Sequence, residues 1–152
     1  MKKSVWGPCI WKTLHILTIK LKDEYVVVQI KELKEIIIHI CNNLPCPLCS
    51  SHAMAFINKH RFRNIKSKDD LIQFIFIMHN DVNKRTKKHN FTKENLLPLY
   101  SNMNTKEVLN DYYLKNKNMN FGERMMMYSF RRKEFLIKFK SYIRSYIHCF
   151  DE

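Results

Sequence analysis

The order of apolar and polar positions along the chain is that of a helical protein. Ile10, Trp11, Leu14 and Leu21 follow Pro8 at helical spacing, and Pro8 suits a first turn, so a helix is expected to start there. Over residues 25–41, Val26, Ile30, Leu33, Ile37 and Ile40 recur every three or four positions, the stripe of a second amphipathic helix. The string NNLPCPLCSSH breaks that rhythm and opens a third helix reaching about Lys59. Ser67, with Asp70 three residues on, predicts the capped start of a fourth helix over residues 68–87. Residues 92–100 predict a short fifth helix. The Asn-rich stretch that follows predicts a loop around a weak helix near 105–114. A last long helix then carries Phe135, Phe139, Tyr142 and Tyr146 on one stripe.

The expected fold is therefore all-α: a four-helix bundle with a short fifth helix over residues 1–100, and a helical extension over 101–152. Composition supports this. Two Gly and four Pro supply few of the turns an all-β fold needs, and 45% hydrophobic residues with 12% aromatics argue for a packed core. The net charge of +13 is spread along the whole chain, a surface that attracts anions without choosing among them. No apolar run approaches the roughly 20 residues that span a bilayer. The N-terminal MKKSVWGPCIWKTLHILTI interrupts its apolar stretch with Lys12, Thr13 and His15 and has no small-residue cleavage site, so no signal peptide and a cytosolic location are expected. Five cysteines in such a compartment point to redox or metal chemistry before a disulfide framework.

Cys46 and Cys49 form a CxxC in LPCPLC, with Cys46 at the expected N-cap and Pro47 in the first turn. Orphan amides and the helix dipole there favour a thiolate, and cysteines at i and i+3 can come within disulfide reach. Three readings compete. Thiol–disulfide exchange ranks first. A zinc site drawing on Cys41, His39 or His52 ranks second, followed by two inert thiols. Cys41 by itself suits a small buried apolar residue.

Two further faces suit a flat ligand. Trp11 and His15 are one helical turn apart, with Gly7 one turn earlier, where backbone can approach a ligand closely. Core packing would explain the same pattern. His79, Val82 and Asn83 share a face of the fourth helix, with Asn80 at its edge and Arg85 and Lys88 extending it toward positive charge. Two Asn inside a helix lower its propensity, so another role should compensate them. A solvated basic helix end is the plain alternative.

In that order and spacing, WGPCIWKTLH, LPCPLCSSH and HNDVNKRTKK resemble the Erv/ALR family of FAD-linked sulfhydryl oxidases, above all the short enzymes of large cytoplasmic DNA viruses. The likeness covers about residues 4–95. It implies a helical bundle cradling FAD, commonly a homodimer. Gly7, Trp11 and His15 would surround the ring systems of FAD, and His79, Asn80, Val82, Asn83, Arg85 and Lys88 would also bind it. Cys46 and Cys49 would be the redox disulfide, with Cys49 nearer the flavin. Electrons would pass from protein thiol substrates, or a thioredoxin-like carrier, to O2. The setting implied is the host cytoplasm, with virion proteins as clients. Two departures stand out. Phe76 occupies the position of a cysteine that clamps many cellular members, and no second CxxC is present. Cys149 would be a lone shuttle thiol, with Cys9 or across a dimer, or more simply a spare exposed cysteine. A zinc-stapled basic module binding nucleic acid is the alternative function, and a virion protein keeping the fold without turnover is a third.

Overall fold

The computed structural model describes all 152 residues as seven α-helices joined by short turns, with no strand beyond one isolated bridge. The helices are α1 (Lys3–Ile19), α2 (Val26–Asn42), α3 (Pro47–Lys59), α4 (Lys68–Arg85), α5 (Lys93–Ser101), α6 (Thr105–Lys117) and α7 (Met126–Tyr146). The all-α expectation holds.

Helix α1 is the axis of the molecule, packed against α4, α5 and α6. Its residues 13–18 are buried without a break, so this helix is enclosed on every side. Thr13 and Thr18 survive there because their hydroxyls donate back to the Cys9 and His15 carbonyls, each at 2.9 Å. The helix begins at Lys3, a turn and a half before the expected start at Pro8. Trp6, Cys9, Ile10, Thr13, Leu14 and Leu17 form one buried stripe, and burying Trp6 outweighs the helical hydrogen bond that Pro8 cannot make.

Side chains cap the helices that position the site. Cys46 caps α3, Ser67 Oγ accepts the Asp70 N–H at 3.1 Å to start α4, and Thr92 caps α5. Helix α4 stops at Arg85, short of the expected 87. Lys87 takes φ 58, and Lys88 N–H returns to the Asn83 carbonyl at 2.8 Å, closing the helix end.

Residues 101–152 share one continuous core with the rest. Leu109, Tyr112, Phe135, Leu136, Phe139, Tyr142 and Phe150 pack with Trp6, Leu17, Leu33 and Ile37. The weak helix expected near 105–114 is the full-length α6, capped by Asn104 and laid along α1. The tail is tied to the end of α1 by Lys22 N–H to the Cys149 carbonyl at 2.9 Å and Asp151 N–H to the Lys20 carbonyl at 2.7 Å. Cys149 is consequently buried, and the expectation of a spare exposed cysteine is corrected. It lies beside Lys22, thirteen residues beyond Cys9 along or just past α1, so the two thiols are separated by roughly 20 Å.

Candidate functional site

The α2–α3 turn sets the first component. Cys46 is extended (φ −138, ψ 111), Pro47 begins α3, and Cys46 Sγ accepts the Cys49 N–H at 3.2 Å. A sulfur therefore fills the N-cap role usually taken by a side-chain oxygen, facing the positive end of the helix. Burial pushes the Cys49 thiol up, its hydrogen bond and charge interaction with Cys46 push the same way, and nearby Lys3 and Arg85 oppose the shift. The reduced pair is thus built to keep a proton on Cys49.

Cys49 opens onto a cleft of about 720 Å³, counting its mouth, between α1, α3 and α4. Gly7 and Trp11 wall it from α1, Cys41 from α2, Leu44 from the turn after α2, and Val82 and Arg85 from α4. Cys46 does not line it. A Cβ added to Gly7 would meet nothing nearer than the Lys3 side chain at 4.0 Å, so the space beside that backbone is open. The walls are mostly apolar and the mouth is cationic, with Lys3 and Arg85 on the rim. Arg85 is bonded to His52 Nδ1 at 2.8 Å and lies 3.5 Å from Asp81.

Behind Trp11 lies the second component. The indole stacks on the His79 imidazole at 4.0 Å between centroids and 8° between planes, while His15 stacks on Tyr100 at 4.3 Å. His15 Nε2 and His79 Nδ1 are 2.9 Å apart and share one hydrogen. Burial drives both well below the usual histidine range, His15 to about 3 with His79 adding to the effect, and His79 to about 4 with Lys88 adding to it. Both rings are neutral at pH 7. One turn on from His79, Asn83 is buried and its Nδ2 has no partner in the protein. An orphaned amide of this kind costs about 1–3 kcal/mol unless something accepts from it. Asn83 does not itself line the cleft.

The structure gathers Gly7, Trp11, Cys49, Val82 and Arg85 at the cleft, and groups His15, His79 and Asn83 beside it. Asn80 is committed elsewhere. Its side chain donates to the Phe91 carbonyl at 2.8 Å and accepts the Phe91 N–H at 2.9 Å, holding the loop after α4. Lys88 lies past the end of α4, in that loop, with its charge near His79. The zinc alternative is not assembled: no three His, Cys, Asp or Glu side chains come together, and His39 stacks on Phe135 instead. Sequence reasoning did not name Lys3, Phe56 and Asp81 of the cleft. Nothing local marks them, since they arrive from three different helices.

The arrangement suits a flat, polar-edged, anionic cofactor held next to an exchangeable thiol pair. Comparison with known proteins agrees. A 32% identical relative over 83 residues, 55% of this chain and 69% of its own length, is the FAD-linked sulfhydryl oxidase of African swine fever virus (isolate Tick/Malawi/Lil 20-1/1983). A fowlpox virus (strain NVSL) protein named probable FAD-linked sulfhydryl oxidase is 34% identical over 79 residues, 51% of this chain and 76% of its own. No solved structure matches the chain. The model of the Erv1 / Alr family matches residues 8–102. With that match covering well over half its length, this chain belongs to the Erv1 / Alr family.

Proposed function

We propose that this protein is an FAD-dependent thiol oxidase that forms disulfide bonds in substrate proteins. The observation that supports it most is the division of the cysteine pair, Cys49 opening onto the cleft and Cys46 standing outside it. Gly7, Trp11 and Val82 would hold the cofactor's rings, Asn83 would supply a hydrogen bond and Arg85 charge for its phosphates. His15 and His79, neutral and stacked, back that wall. Asn80 and Lys88 act through the loop they shape. When bound, FAD would supply the electron-accepting chemistry, with O2 as the final acceptor and hydrogen peroxide as its product.

The protein's own residues carry the thiol exchange. A substrate thiolate attacks Cys46 Sγ of the Cys46–Cys49 disulfide, forming a mixed disulfide, and the S–S electron pair leaves on Cys49. Lys3 and Arg85 at the rim offset that charge. A second substrate thiolate then attacks the mixed disulfide at the substrate sulfur, releasing oxidised substrate and Cys46. Cys46 is the sulfur to attack because it stands outside the cleft, at the N-cap of α3. Protein dithiols, or a thioredoxin-like carrier, are the substrates in this reading. It also includes a homodimer and a setting in host cytoplasm during virion assembly. No helix is long and apolar enough to cross a membrane.

The test is the visible spectrum of the purified protein with dithiothreitol under argon. Flavin bands should bleach and return when air is admitted. Cys46→Ser should keep the flavin and lose thiol oxidation by about a thousandfold or more, as expected when a nucleophilic relay loses its first member. A colourless protein that added FAD does not turn yellow would refute this reading. It would return attention to a basic, nucleic-acid-binding module.

A further inference from the structure

The cysteine pair hangs on the α2–α3 turn, and side chains outside the chemistry above hold that turn. Arg132 of α7, 4% exposed, donates Nε–H to the Asn43 carbonyl at 2.7 Å. Its guanidinium also bonds the Asn116 side-chain oxygen on α6 and lies 4.8 Å from the Phe121 ring centroid. One turn earlier on α7, the Tyr128 hydroxyl donates to the Leu44 carbonyl. Ser50 Oγ accepts the Leu44 N–H at 2.9 Å and gives its own hydrogen to the Tyr128 oxygen at 3.1 Å. The Leu44 N–H, the Ser50 hydroxyl and the Tyr128 hydroxyl each have one acceptor.

The position of the network matters. Carbonyls at the end of a helix have no helical partner. Here Asn43 C=O, Leu44 N–H and Leu44 C=O all end on side chains, two and three residues before Cys46. Arg132 is rigidly supported from α6, so this is a fixed strut and not a surface arm. Disulfide formation requires two Cβ atoms within a narrow range of distance and torsion. Cys46 is non-helical, so the path of the turn decides whether its sulfur meets Cys49.

We propose that Tyr128 and Arg132 are positioning residues for the Cys46–Cys49 pair, fixing the approach to Cys46 and thereby the rate and equilibrium of disulfide exchange. Both lie beyond residues 8–102, the part of the chain that matches its family. The C-terminal segment thus supplies part of the active-site architecture. The inference rests on the thiol-oxidase reading for its rate, but not for its equilibrium. A loosened turn lowers the effective concentration of one thiol at the other. The disulfide then becomes less favoured, and the reduction potential of the pair rises.

The test compares flavin-loaded parent, Tyr128→Phe and Arg132→Met, with Thr105→Ala as a control that cuts a distant tie of the C-terminal segment, the bond to the Asp151 carbonyl. The potential is read in glutathione buffers by thiol alkylation and mass, which needs no flavin turnover. Tyr128→Phe deletes one oxygen and should fold. It should shift the exchange equilibrium about tenfold, about 30 mV upward for a two-electron couple, and lower kcat for dithiothreitol about tenfold with little change in KM. Thr105→Ala should lower only Tm. If Tyr128→Phe likewise moves only Tm, the positioning role is wrong. Should Arg132→Met fail to fold, Tyr128→Phe decides alone. A parent that does not oxidise dithiothreitol refutes the thiol-oxidase reading, while the potential still decides this one.

Discussion

Two buried polar groups on different helices invite comparison. Asn83 on α4, within the family-matching segment, keeps an amide that no protein atom accepts from. Arg132 on α7, in the C-terminal segment, spends its guanidinium on Asn43, Asn116 and the sulfur of Met119. Both are 4% exposed, so burial does not separate them. What separates them is unspent hydrogen-bonding capacity. Asn83 leaves its Nδ2 without an acceptor, whereas each guanidinium nitrogen of Arg132 has one. The His15–His79 pair is intermediate, satisfied internally yet held neutral behind the cleft wall.

The sharpest break of that contrast is Arg132→Met. It orphans the Asn43 carbonyl and the Asn116 oxygen and should cost about 3 kcal/mol of unfolding free energy, measured by urea titration. A loss below about 1 kcal/mol would mean that the strut is dispensable. Next comes pH. Both histidines are held below their unfolded value of 6.5, so between pH 6.5 and about 4 the unfolded chain binds more protons than the folded one. Stability should then rise with pH across that window and be lost as pH falls through it, by on the order of 3 kcal/mol for each histidine. His79→Phe should flatten the slope relative to parent, and parallel slopes would contradict the buried neutral pair.

Asn83→Ala should behave as the mirror image of Arg132→Met. Without bound FAD the variant should be as stable as parent within about 0.5 kcal/mol, because no protein partner is lost. FAD affinity, followed by fluorescence quenching, should fall about tenfold. Equal FAD affinity would remove Asn83 from the cofactor site. The smallest effect concerns the end of α4. Lys87 sits at positive φ, where glycine is free of strain, so Lys87→Gly should stabilise by about 1 kcal/mol in thermal melts.

Local features were legible before any fold was known. Cys46 as an N-cap ahead of Pro47, and Ser67 ahead of Asp70, depend on atoms within three or four residues, and the structure has both. A similar signal at Asn104, three residues before Glu107, also marks a helix start, yet it lay hidden in an Asn-rich stretch that resembled a loop. Trp6 extends the α1 stripe one turn earlier, and Pro8 obscured it. Asn80 was legible as an oddity within a helix but not in its purpose, because its partner, Phe91, is reached only after the chain turns at Lys87.

The chain's periodicity, its CxxC and its ordered motifs by themselves determined the helices, the family likeness and the residues to watch, since each is a property of neighbours along a helix. Only tertiary packing decided which of those residues share the cleft, that Asn83 keeps a free donor, that Cys149 is buried, and that α7 braces the turn before Cys46. Those outcomes depend on contacts between residues as far apart as Asn43 and Arg132. No local rule of spacing or capping encodes such a meeting, which arises only when separate apolar stripes are buried in one core.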